Sequence, residues 1–432
     1  MTPNKDLSQP AKNLEDLLDL FERDQNTELN EHFYVERQER GLNKLTRKLE
    51  RNRRFKAFVC GHVGSGKTTE LKRLKSDPKI NALYQSVFIS VDELNIDVVN
   101  LTHDALMLNI ALQLMDQFAW LKADFESEIN DWGNTLVQTI IDETNADAKL
   151  DAGIPNLWFV KFKASLKYRH NMKEEQKRNL EPKVADLIEI LDRMALAFNE
   201  KEQKHLLVMV DDLEKGSTDN HKQMHQRLFS EFYSILTGPS FNIIYTIPVY
   251  FKSTKNHRIE SQDIYSFPAC RLYDIEQKNE DKPTLDVNSQ GYQLVKNFIL
   301  QRIDSNVELF EEGVLDELIL IGGGLFRDTE NAIVDAVESA LDRDSDTINL
   351  DDCKIIFDEL KKKYQPAITG RTKEVLQQIM QIKDGWVEDV EPLLQSRAVL
   401  EYENGDTWLD VRYVLKAHIN KLVAAETKAD TE

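Results

Sequence analysis

The sequence predicts an α/β fold, a parallel sheet covered by helices, followed by a helical segment and a terminal unit of helices and a hairpin. Three observations carry this. Between Phe55 and about Ile275, short apolar runs alternate with helical stretches. Those runs are near-continuous rather than alternating, as expected of strands buried on both faces of a parallel sheet. After about Pro283 helical patterning takes over and leads to an Asn-Gly turn between two short apolar segments, a strong hairpin signal.

In chain order, residues 1–30 are polar and acidic with one helical stripe, Leu14, Leu17, Leu18 and Phe21. They read as an N-terminal helical arm, loosely attached or serving as an interaction helix. Residues 31–282 read as the α/β core. Strands are expected at Phe55 to Cys60, Ser86 to Val91, Leu206 to Val210, Ile243 to Val249 and Leu272 to Ile275. Helices are expected at Leu101 to Leu121, Lys183 to Asn199 and Lys222 to Leu236. The stretch between the second and third strands is longer than one crossover helix needs, so an insertion is expected at about 123–180. Within it, Leu157 to Tyr168 alternates like a strand before the charged run from Arg169 to Arg178, and its position favours partner contact.

Residues 283–365 turn helical, with expected helices at Tyr292 to Ile303, Gly313 to Ile321, Arg327 to Leu341 and Asp351 to Tyr364. Gln365-Pro366 and Gly370 mark a further boundary. Residues 366–432 then give helix, helix, strand, turn, strand, the pattern of a winged-helix domain, with the turn at Glu403-Asn404-Gly405-Asp406.

Composition bounds the function. The 432 residues, 41% hydrophobic and 30% charged, suit a soluble globular protein. No apolar run approaches the roughly 20 residues of a membrane span, and the opening Met-Thr-Pro-Asn-Lys-Asp lacks a signal-peptide pattern. Cys60, Cys270 and Cys353 are too widely spaced for a zinc site and odd in number, so a reduced, cytoplasmic setting is expected. A net charge of -20 argues against a general polyanion binder. Locally, however, Glu36 to Lys56 holds nine basic residues against three acids, a balance of +6. That run reads either as the solvated face of a helix or as a contact surface for nucleotide, nucleic acid or an acidic partner.

The chemistry centres on Gly61, His62, Val63, Gly64, Ser65, Gly66, Lys67, Thr68 and Thr69, which form a P-loop between a strand and a helix. Glycines let backbone N–H groups close on phosphate, and the following helix N-terminus favours anions. Lys67 reaches the β- and γ-phosphates, and the Thr68 hydroxyl ligates Mg2+. His62 occupies a position that tolerates most side chains. A second strand ends in Val210-Asp211-Asp212, the Walker B pattern, with Glu214 close behind. Asp211 is expected to hold the metal and Asp212 to activate the attacking water, with Glu214 in reserve. Thr246, in the apolar strand from Asn242 to Val249, meets either a γ-phosphate or backbone. Gly322-Gly323-Gly324 introduces a helix whose Arg327 is placed to touch phosphate, unless the glycines are only a connector. Nucleophile elbows, HExxH helices and Cys/His clusters are not seen, and the nine histidines are scattered.

This order of parts resembles AAA+ ATPases of the origin-recognition initiator type and the related STAND signalling ATPases. The segment Tyr34-Val35-Glu36-Arg37-Gln38-Glu39 also resembles the stretch that holds the adenine edge in initiator-like members, which places Val35 at the nucleotide. The resemblance implies a helical lid with Arg327 as its sensor-2 arginine, Thr246 at the sensor-1 position, and ATP and Mg2+ as cofactors. It implies an ATP-gated switch acting on a protein partner or effector, as a homo-oligomer or hetero-complex, with an arginine donated by a neighbour. Arg227, Arg258 and Arg271 are candidates for that arginine by position. The large insertion is more familiar in prokaryotic STAND-like and antiviral defence ATPases. The terminal unit is acidic, with seven acids against Arg397 between Val387 and Asp410, a balance of -6, so it reads as a protein-contact or autoinhibitory module rather than a DNA reader. Two alternatives stand beside this: a DNA-transaction ATPase of the initiator or loader type, and a scaffold that binds ATP without hydrolysing it.

Overall fold

The computed structural model describes residues 9–24, 31–37, 40–51, 54–91, 101–144, 181–216, 218–253 and 258–429. Helices α1 (Leu14–Asp24) and α2 (Arg40–Glu50) precede β1 (Lys56–Gly61), α3 (Lys67–Ser76), α4 (Pro78–Leu83) and β2 (Tyr84–Ser90). Three long helices follow, α5 (His103–Gln117), α6 (Ala119–Thr144) and α7 (Glu181–Glu202), then β3 (His205–Asp211). Helix α8 (Asp219–Gln226), a π-turn at Arg227–Glu231 and α9 (Tyr233–Leu236) lead to β4 (Asn242–Pro248), a 3-10 turn at Val249–Lys252, and β5 (Ile264–Phe267).

The five strands form one parallel sheet in the order β2–β3–β4–β1–β5. Their period-2 geometry sends neighbouring residues to opposite faces. Phe58, Cys60, Val208 and Val210 pack into the core shared with α5, α6 and α7, while Ala57, Val59, Leu207 and Met209 pack against α2 and α3. Both faces are therefore apolar, which is why these strands read as continuous runs. The order sets β4, with Thr246, between the strand that feeds the phosphate loop and the strand that ends in acids.

One expected strand is corrected. The fifth strand is Ile264–Phe267, not Leu272 to Ile275. As an edge strand with β1 as its neighbour it is half buried and alternates, whereas Leu272 and Tyr273 are apolar because they enter the next core. The expected helix from Leu101 to Leu121 breaks at Phe118, and α6 runs on to Thr144 to pack against α5 and α7. The alternation from Leu157 to Tyr168 and the run from Arg169 to Arg178 lie outside the described residues.

Beyond the sheet, α10 (Gln290–Leu300), α11 (Val314–Gly322), α12 (Phe326–Asp342) and α13 (Leu350–Tyr364) build a second core. Helix α1 belongs to it: Leu14, Leu17 and Phe21 are buried, and the helix packs on α12. Its stripe is thus a seat within the chain rather than a loose interaction face. The terminal unit holds α14 (Gly370–Gln381), α15 (Glu391–Ser396), the antiparallel hairpin β6 (Val399–Glu403) and β7 (Thr407–Val411), and α16 (Tyr413–Ala429). The hairpin turn falls on Asn404 to Asp406, where Gly405 has φ +105°. Strand β6 is a wedge between two cores, since Val399 packs with the sheet core and Leu400 and Tyr402 with the helical one. Among the described residues no helix is long and apolar enough to cross a membrane, and the three cysteines are free and buried.

Candidate functional site

The loop after β1 is shaped by close approaches that only glycine allows. A Cβ on Gly61 would stand 2.3 Å from the Phe267 carbonyl oxygen on β5. Gly64 has φ +86°, and a Cβ there would stand 2.7 Å from the Arg327 Cβ. Helix α12 starts without a side-chain cap, and the Arg327 N–H donates to the Gly64 carbonyl at 3.4 Å. The helix that carries Arg327 therefore begins directly on the phosphate loop.

A cleft opens above that loop. Its floor is Val63, Gly64, Gly66, Lys67, Thr68 and Thr69, its acid side Asp212 and Glu214, its roof Phe298, Arg302, Phe326 and Arg327, and its mouth Phe33, Tyr34 and Val35. Of the residues anticipated from sequence, Gly61, His62, Ser65, Asp211 and Thr246 do not line it. Asp211 and Thr246 are buried at the strand ends, and the His62 side chain faces elsewhere. Its Nε2 accepts the Glu401 N–H at 3.0 Å, so the imidazole of this loop residue meets the terminal hairpin.

Lys67 is held by three contacts within the chain. Its ammonium donates to the carbonyls of Gly61 at 3.1 Å and His62 at 2.8 Å, and forms a buried ion pair with Glu214 Oε1 at 2.8 Å. Burial alone would raise the Glu214 pKa, but the Lys67 ammonium overcomes this and holds the carboxyl below its ordinary value. Asp211 is in the opposite condition. Burial first, then the charges of Glu214 and Asp212, push its pKa up to about 6. The Thr68 hydroxyl opposes that rise, yet neither Asp211 oxygen has a well-formed hydrogen bond among the described residues. A buried carboxylate with no well-formed hydrogen bond, beside a threonine hydroxyl, is a hard-oxygen set that fits Mg2+. No group of three or more His, Cys, Asp or Glu among the described residues makes a metal cage, so such a cation would complete its shell with phosphate and water.

Asp212 lines the cleft and is engaged within the chain. It has φ +68°, and its carboxylate accepts from Ser90 Oγ at 2.5 Å and pairs with Lys215 at 2.8 Å. Thr246 takes the second of its two anticipated roles, its hydroxyl accepting the Leu213 N–H at 3.3 Å beside Glu214. None of Arg227, Arg258 and Arg271 lines the cleft, and Arg271 is paired with Asp274 and Asp286.

Arg37 and Tyr34 belong to the segment anticipated at the adenine edge, but their contacts, and His225 altogether, were not anticipated. Arg37 is buried and donates to the Ser65 carbonyl at 2.6 Å and the Pro268 carbonyl at 2.9 Å, tying the N-terminal segment to the loop. The Tyr34 hydroxyl donates to Glu70 at 2.8 Å on the first turn of α3. His225 props the acid loop from below, one ring nitrogen 2.6 Å from the Leu213 carbonyl and the other 2.6 Å from the Tyr250 hydroxyl. Since a carbonyl only accepts, the nitrogen facing Leu213 carries the proton. The sole sequence signal for His225 was its place on an expected helix after Walker B.

No curated protein matches the chain. Among solved structures it is similar to the ORC1 protein of Aeropyrum pernix in complex with DNA, at 11% identity over 95% of this chain and 96% of that one, with a TM-score of 0.37. It is similar also to CDC6P from Pyrobaculum aerophilum, at 11% identity over 91% and 98%, TM-score 0.33, and to a Walker-type ATPase of Pyrococcus abyssi, at 11% over 90% and 99%, TM-score 0.38. The architecture is that of a P-loop NTPase with a parallel five-stranded sheet. Residues 41–233, which hold the phosphate loop and all three acids beside it, match the model of the KAP family P-loop domain.

Proposed function

We propose that this protein is a Mg2+-dependent ATPase that works as a switch on a partner protein. The observation that carries the reading is the buried Lys67–Glu214 pair, a phosphate-seeking cation caged by an acid in a cleft roofed by Arg327. A triphosphate entering the cleft competes for Lys67 and frees Glu214. The released carboxylate lines the cleft and accepts a proton from the attacking water. Asp212, engaged by Ser90 and Lys215, is the lesser candidate for base, which reverses the order anticipated from sequence. Thr68 and Asp211 would hold Mg2+, which supplies charge neutralisation at the transferred phosphoryl group. Arg327 adds positive charge from the lid, and Val35 with Phe33 offers an apolar edge for the base.

The terminal unit, read as a winged helix with an acidic hairpin, suits protein contact. The exposed basic residues Lys44 and Arg47 on α2, with Arg51 just after it, favour the second reading, a DNA-transaction ATPase. The test of the first is a set of three variants in the full chain. Lys67→Ala is expected to lose nucleotide binding and turnover. Glu214→Gln should keep binding and lose about 10²-fold or more in turnover, the usual worth of a general base. Asp212→Asn should lose less. Undiminished turnover by Lys67→Ala, or full activity of Glu214→Gln beside a dead Asp212→Asn, would sink the assignment.

A further inference from the structure

Strand β6 meets the elements around the nucleotide site through three consecutive residues, Leu400, Glu401 and Tyr402. The Glu401 N–H donates to His62 Nε2 at 3.0 Å, and its carbonyl accepts the Ala269 N–H at 2.9 Å. Its fully buried carboxylate pairs with Lys252, in the turn that ends β4. On either side, the Tyr402 hydroxyl donates to the Gly323 carbonyl at 2.9 Å, and Leu400 Cδ1 lies 2.7 Å from where a Gly323 Cβ would stand. Arg397 and Arg412, at the two ends of the hairpin, both pair with Asp328, the residue after Arg327. One hairpin thus touches the phosphate loop, the Thr246 strand and the turn that launches the lid helix.

These contacts are poorly explained as packing alone. The Lys252–Glu401 pair is desolvated, and Glu401 Oε2 has no hydrogen-bond partner among the described residues. Buried pairs of that kind stabilise less than apolar residues of the same volume. His62 stands in the phosphate loop, yet its side chain turns away from the cleft and accepts a bond from a strand 339 residues later. Its backbone carbonyl meanwhile accepts from Lys67 at 2.8 Å. The same residue therefore feels the phosphate-binding lysine through its backbone and the terminal hairpin through its imidazole.

We propose that Glu401 and His62 are positioning residues that couple the phosphate site to the terminal hairpin, and that a bound triphosphate loosens β6 by drawing Lys67 away from the Gly61 and His62 carbonyls. This rests on the nucleotide-binding reading above. Strand β6 is then the two-state element that both ends bias. Reciprocity requires that weakening the seat of β6 tighten triphosphate binding.

The experiment is hydrogen exchange on the full chain with and without a non-hydrolysable ATP analogue and Mg2+, resolved at residues 61–68 and at the Glu401 amide. The expected result is protection of the loop with exchange at Glu401 accelerated about 5-fold or more, the lower bound of ordinary allosteric coupling. His62→Ala should exchange fast at Glu401 without nucleotide, respond no further, and bind the analogue several-fold tighter. His62→Gln, whose amide oxygen can accept the same N–H, should restore the response. A protected loop with unchanged or slower exchange at Glu401 overturns the coupling while leaving the nucleotide reading intact, as does an unchanged affinity in His62→Ala. No protection at the loop overturns the nucleotide reading itself and this inference with it. Should the alanine variant not fold, the wild-type comparison decides.

Discussion

An imidazole sealed from water resists charging, and His225 shows what that does to the acid loop. Burial holds its pKa down at about 4 against an ordinary 6.5. The unfolded chain takes up a proton as pH falls through 6.5, while the folded chain does not until about 4. Stability is therefore complete above 6.5 and is lost across that window, by on the order of 3 kcal/mol. Urea titrations between pH 7.5 and 4 should show this slope, and His225→Gln should be less stable at pH 7.5 but flatter across the window. An unchanged slope would mean that carboxylates alone govern acid unfolding. Lys67 and Glu214 illustrate the complementary case, a buried ion pair in which the ammonium holds the carboxyl below its ordinary value, and only Lys67 was foremost in the sequence. Glu214 ranked behind Asp212 because adjacency to Asp211 in the chain does not reveal which carboxylate of the cleft meets Lys67 and which meets Ser90 and Lys215.

At the scale of elements, the junction of α12 with the terminal hairpin decides how that helix is seated. Arg412 is fully buried and pairs with Asp328 at 2.7 Å, while Arg397 reaches the same carboxylate at 2.6 Å. Removing that carboxylate strands a buried guanidinium. Asp328→Asn is expected to destabilise by about 3–5 kcal/mol, measurable by chemical denaturation, whereas Arg397→Ala, with Arg412 still paired, should cost far less. Comparable losses in the two would show that Arg397 carries the junction. The helices themselves were largely legible, because each buries one stripe and exposes the rest. The fifth strand was not, since an edge strand of four residues gives too short an alternation to outweigh the apolar pair Leu272 and Tyr273 nearby.

For the whole molecule, charge is unevenly spread around a net of -20. The described basic face before the sheet offers Lys44, Arg47, Arg51 and Arg54 as exposed cations, while Lys48 pairs with Asp263 and Lys56 donates to the carbonyls of Pro239 and Phe241. Four phosphate contacts give a log–log salt slope of about -4. Anisotropy titrations with duplex DNA across 50–200 mM salt, ordinary bounds for such measurements, should therefore show weak binding with a slope near that value or shallower. A much steeper slope would reveal a wider basic surface and favour the DNA-transaction reading. The overall charge thus bears on the choice of partner and leaves the catalytic chemistry alone.

The sequence by itself determined the α/β class, the phosphate loop, the acids behind it and the hairpin, because each is a local pattern. Periodicity follows from strand and helix geometry, glycine spacing from the backbone a loop must adopt, and Asn-Gly from its turn. Only the tertiary structure decided that Glu214 cages Lys67, that Asp212 is committed to Ser90 and Lys215, and that His62 meets Glu401. Those contacts join residues from different strands and from opposite ends of the chain, and their geometry is set by sheet order and by how the terminal unit wedges between two cores. No local pattern encodes such a meeting, so it becomes visible only once the chain has folded around it.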